Sequence, residues 1–161
     1  MSRTDQAGYP LAWHRFLYRF LLWIAALLHL LQAAWMMVGG VYQGADIQSA
    51  VYAALPALRY IDYARAACLV ISAPLLVLAA VQLKKQHKKG LALLTWGWLL
   101  AAGGNLSGML LRFIISGLPP LNLSEISQVL LQAILVVICV IYYRRRPDLF
   151  GGTKEVSAHE S

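Results

Sequence analysis

The sequence predicts an all-α protein, an integral membrane four-helix bundle with both termini on the cytoplasmic side (N-in/C-in) and a short interfacial helix in the first outer loop. Three observations predict it. The chain is 60% hydrophobic and 13% charged, where a soluble domain has roughly 45–50% and about 25%. Four segments hold the ~20 mostly apolar residues that a spanning helix requires. Basic residues gather in alternate connections, as the positive-inside rule demands of a multi-span protein.

The elements follow in chain order. Residues 1–15 read as a cytoplasmic N-terminal tail, 16–146 as a four-span domain and 147–161 as a disordered cytoplasmic tail. The spans cover about 18–42, 61–83, 91–117 and 123–143. The first, "FLLWIAALLHLLQAAWMMVGGVY", is longer than the 7–15 apolar residues of a signal-peptide core and lacks a small-residue cleavage site, so it reads as an uncleaved anchor. Span two carries Pro74, which bundle neighbours can accommodate. "KKQHKKG" makes a tight hairpin of spans two and three. In the longer loop before span two, Ile47, Val51, Leu55 and Leu58 recur at helical spacing. Asp46 suits an N-cap, and Pro56 an ending.

Charge sets the orientation. Arg3, Arg15, Arg19, Lys84, Lys85, Lys88, Lys89, Arg144, Arg145, Arg146 and Lys154 fall on one side, eleven in all, against three (Arg59, Arg65 and Arg112) on the other. Aromatics agree: Trp13, Phe16, Tyr18, Tyr142 and Tyr143 mark the inner interface, Tyr60 and Tyr63 the outer. The net charge of +7 therefore reads as topology. With no basic folded domain outside the membrane, nucleic acid is not an expected partner. Arg144, Arg145 and Arg146 would sit among lipid headgroups. The close, "YYRRRPDLF", is similar to that of many small bacterial four-span proteins, which suggests a bacterial cytoplasmic membrane and identifies no family.

Polar groups in hydrocarbon are costly, and each one needs a reason. At ~1.5 Å rise per residue, His29 and Gln32 fall near the middle of span one, Asn105 at a similar depth in span three, and Gln128 and Gln132 in the outer half of span four. These five would line an outward-facing polar pocket. Asp62, Arg65, Arg112 and Glu125 would form ion pairs at its rim. The same residues could serve only as helix–helix hydrogen bonds, and the sequence leaves both readings open. Gly97, Gly104 and Gly108 form a small-residue stripe on span three, for packing inside the bundle or across a dimer.

Chemistry-bearing motifs are scarce. There is no G-x-S-x-G, H-E-x-x-H or P-loop. A single deep histidine does not make a haem site, and no Cys/His cluster suggests a metal. Cys68 and Cys139 lie at different depths, too far apart for a bridge. No acidic residue lies deep in a span, which argues against proton-coupled export. No cofactor is expected. The first expectation is a non-enzymatic accessory or interaction protein, with the bilayer and a homodimer or membrane-protein partner as its contacts. The second is a lipid or small-molecule binding or transport protein using the polar pocket. An intramembrane enzyme ranks third.

Overall fold

The structure, a computed structural model, describes residues 12–117 and 123–150, except the side chains of 123–125 and 147–148. The described residues are helical, without strands. Helix α1 runs Ala12–Met37 and includes a π turn at Leu17–Leu21. A short α2 covers Ala45–Ala54, α3 Pro56–Lys84, α4 Lys88–Ser116 and α5 Leu123–Arg144. Four helices are long and apolar enough to cross a membrane: α1, α3, α4 and the Ile126–Arg144 part of α5. Their outward faces carry exposed Trp23, Leu27, Leu31, Trp96, Ile114, Leu130 and Ile134. Water would penalise such a surface and hydrocarbon would not. This is the character of a multi-pass membrane protein.

The helices alternate in direction, as three sets of contacts show. Gly90 lies against Leu83, Gly97 against Leu76 and Gly104 against Cys68, so α3 and α4 are antiparallel. His29 bonds Ser72 near mid-helix, while Tyr42, beyond the end of α1, reaches Asp62 near the start of α3. His14 bonds Tyr143 while Gln32 bonds Gln128, which makes α1 and α5 antiparallel. One end of the bundle thus carries the start of α1, the turn between α3 and α4 and the end of α5. This is called the terminal end below, and the opposite one the distal end. Helix α3 packs on both α1 and α4, and α5 packs chiefly on α4.

Several boundaries differ from the sequence expectation, each for a physical reason. Helix α1 stops at Met37 rather than near 42. Gly39 takes a left-handed conformation (φ 86°), which only glycine adopts freely. Its carbonyl then accepts from the amides of Tyr42 and Gly44, both at 3.0 Å. Val41 and Tyr42 are therefore apolar residues of a 3₁₀ turn that reverses the chain. At α2 the cap position belongs to Gly44 and no side chain caps it; Asp46 sits in the first turn. Pro56 opens α3 at its first turn, where its missing N–H costs nothing. Leu55, held extended by the following proline (φ −134°, ψ 77°), makes the break. At the other end, Pro147–Phe150 forms a 3₁₀ turn that brings Leu149 into the core and Phe150 against Tyr143, with ring centroids 5.5 Å apart. The sequence places these four residues in the disordered tail. Two apolar side chains with a core to join explain the difference. The rest of that tail and most of the N-terminal one lie outside the described residues.

The core has two parts. A larger one at the terminal end unites Leu17, Leu22, Leu76, Leu83, Leu94, Trp98, Cys139 and Tyr143 from all four spans. A smaller one toward the distal end joins Ala33, Met36, Ala66, Leu69 and Ala101 from α1, α3 and α4. No described residue of α5 belongs to the second. The fourth wall of the bundle is open there.

Candidate functional site

That opening is a cleft of about 550 Å³ between α1 and α5, floored by Trp98 of α4. Its walls are Leu21, Ile24, Leu28 and Leu31 on one side and Leu131 and Leu135 on the other. Four polar residues enter it: His29, Gln32, Gln128 and Gln132. Among the described residues, none that lines it is Asp, Glu, Lys or Arg.

Hydrogen bonds order these groups into a chain. The Ser72 hydroxyl donates to the Leu69 carbonyl of its own helix at 2.8 Å. His29 Nδ1 lies 2.7 Å from the same hydroxyl oxygen. In the tautomer that carries its hydrogen on Nδ1, the ring's Nε2 is an acceptor. The Gln132 amide Nε2 lies 3.3 Å from it and, in that tautomer, donates to it. The ring is held further by Trp98, edge to face at 5.6 Å. Nearer the distal end, Gln32 Nε2 donates to Gln128 Oε1 at 2.6 Å. Two groups end with no partner among the described residues, the Gln132 carbonyl oxygen Oε1 and the Trp98 indole N–H. Both residues are buried, at 6% and 3% exposure.

A second polar cluster lies at the distal end, away from the cleft. Asp62 is buried on α3. Its Oδ2 accepts from Tyr42 at 2.6 Å and Tyr52 at 3.1 Å. Its Oδ1 faces Arg65 Nη1 at 3.6 Å and Arg112 Nε at 4.0 Å. Arg112 also covers the Tyr42 ring at 4.9 Å. Gln48 of α2 donates to the Met36 carbonyl at 3.0 Å, which satisfies an orphan at the end of α1. These bonds tie the loop and α2 down onto α1, α3 and α4. Burial and then the Asp62 charge push the Tyr52 phenol up to about 12.

Of the five residues expected to line a pocket, the structure brings His29, Gln32, Gln128 and Gln132 together. Asn105 stands apart. It is 2% exposed, neither of its side-chain polar atoms has a partner among the described residues, and it is not part of the cleft. Of the rim set, Asp62, Arg65 and Arg112 meet one another, while the side chain of Glu125 lies outside the described ones. The glycine stripe packs within the bundle. A Cβ on Gly97, Gly104 or Gly108 would run into Leu76, Cys68 or Arg65 of α3. Arg144 and Arg145 are exposed, but Arg146 is 1% exposed and stacks on Tyr142 at 5.1 Å. Both cysteines are free. Sequence reasoning missed Ser72, Trp98, Tyr42, Tyr52 and Gln48. Only Ser72 gave a usable signal, a hydroxyl at mid-depth in span two.

No family model matches the chain, and comparison with curated proteins and with solved structures gives no significant match.

Proposed function

We propose that the chain is a multi-pass membrane protein that binds a membrane-soluble amphiphile in the cleft between its first and fourth spans. One observation carries this reading: a space of about 550 Å³ with apolar walls and a few convergent polar groups, within the ~300–1,000 Å³ typical of ligand sites. Lateral opening suits a ligand that arrives through the bilayer. The proposed orientation is N-in/C-in, supported by the eleven-to-three distribution of basic residues. The terminal end then faces the cytoplasm and α2 lies at the outer interface. The setting proposed is a bacterial cytoplasmic membrane, on that same asymmetry and on the "YYRRRPDLF" close.

The competing reading is an accessory or interaction protein with no ligand. The Gln32–Gln128 bond favours it, because it satisfies part of both amides without help. Native mass spectrometry of the detergent-purified protein separates the two. The binding reading expects a co-purified amphiphile at one per chain. Leu28→Trp, on the exposed cleft wall, should remove it. Leu111→Trp, on an exposed position of α4 outside the cleft, should not. A protein that carries no adduct, or keeps it in Leu28→Trp, supports the accessory reading instead.

A further inference from the structure

The cleft is graded from one end to the other. On α1 its lining runs from Leu21, about a turn short of the helix middle, to Trp35 near the distal end. On α5 it runs from Leu135, near the middle, to Gln128. The cleft therefore belongs to the distal half of the bundle. Leu21, Ile24 and Leu135 line its terminal part. Beneath them Leu17, Leu22, Cys139 and Tyr143 of the shared core close α1 onto α5. His29 and Gln132, midway, are buried and contact each other. Gln32, half-buried, and Gln128, exposed, stand in the distal part. The bond between these two amides uses one of their four N–H groups, whichever way each amide is turned. Polar groups at membrane depth are costly until they find partners. The stretch from Leu21 to Gln32 is ~16 Å long at ~1.5 Å per residue, about one leaflet's share of a ~30 Å hydrocarbon core.

We infer that the cleft receives one acyl chain of a phospholipid from the distal leaflet, its methyl end toward Leu21 and Leu135 and its ester carbonyl accepting from the Gln32–Gln128 pair. This rests on the amphiphile-binding reading and narrows it. A chain in this sense lays its apolar length along leucine and isoleucine. It brings its first polar group, an acceptor, to amides that have hydrogens to give. The lateral opening lets the second chain of the same molecule stay in the bilayer. A lipid of the opposite leaflet would meet the closed end of the cleft and leave its ester far from both glutamines.

Phosphatidylcholines with a photoreactive diazirine in one acyl chain test it, placed either beside the carbonyl or at the methyl end. The full-length protein is irradiated with each in phosphatidylcholine vesicles, and labelled residues are read by mass spectrometry. The carbonyl-side probe should label around Gln32 and Gln128, and the methyl-end probe around Leu21 and Leu135. Leu28→Trp should remove both sets and leave labelling at Leu99 and Leu106, exposed on α4 outside the cleft, unchanged. Leu131→Trp, on the facing wall, provides the same block if Leu28→Trp does not fold. An ether-linked analogue lacks the carbonyl and should label the cleft about threefold less, the worth of one hydrogen bond in a membrane. Cleft labelling with the two ends reversed or indistinguishable overturns the inference and leaves the cleft as an amphiphile site. Equal labelling by ester and ether also overturns it. Absence of any labelling that the tryptophan variants remove overturns the binding reading itself.

Discussion

Along the face between α3 and α4, Gly97, Gly104 and Gly108 let Leu76, Cys68 and Arg65 approach to the backbone, and the buried carboxylate of Asp62 holds the distal end shut. Along the seam between α1 and α5, the distal half is bridged by two glutamine contacts, Gln32–Gln128 and Gln132–His29, beside an open cleft. One pair of helices touches wherever side chains permit. The other touches at a few polar points and leaves room. Between helices in lipid there is no general hydrophobic pull, so close packing has to be built from small residues. Where the sequence supplies bulky leucines and no glycine, as at Leu28, Leu31 and Leu131, the helices stay apart.

Substitutions can break that contrast. The largest expected effect is Asp62→Asn. It removes one buried carboxylate that faces both Arg65 and Arg112, and loss of one member of a buried pair costs about 3 kcal/mol or more. Thermal unfolding in detergent should show it, and an unchanged midpoint would mean the cluster is not structural. Gly108→Leu comes next. Its side chain would overlap the Arg65 stem, at about 2 kcal/mol for overpacking, read on the same assay. The smallest effect belongs to the seam. Gln32→Leu combined with Gln128→Leu should change stability by less than about 1 kcal/mol, since such membrane hydrogen bonds average ~0.6. A drop comparable to that of Gly108→Leu would show that the two sides of the bundle are equally tight.

The sequence made the spans readable because hydrocarbon thickness sets a length and composition that few other constraints imitate. It also made four cleft residues readable, because His29, Gln32, Gln128 and Gln132 are costly at their depth. It misplaced Asn105 for a plain reason. Counting residues gives depth along a helix, and Asn105 has the right depth, but which neighbour it faces depends on how α4 is rotated against α3, and that is fixed by the glycines. Ser72 was quiet because its hydroxyl bonds its own helix, as serines in spans commonly do. Trp98 reads as one more apolar residue unless its N–H is followed. The partners of Asp62 could not be read, since Tyr42 and Tyr52 reach it only after the reversal between Gly39 and Gly44.

Helix α5 is attached unequally along its length. At the terminal end Cys139, Tyr143 and the Leu149 turn lie in the shared core, with His14 bonded to Tyr143 at 2.9 Å. Toward the distal end none of its described residues belongs to a buried apolar cluster. Such a helix is a lever clamped at one end. Replacing a residue near Leu131 alters the gap between the helices without touching the contacts that keep the helix in place. Selection could therefore widen, narrow or reshape this cleft by single changes on one helix, at little risk to folding, while the α3–α4 half stayed as it is.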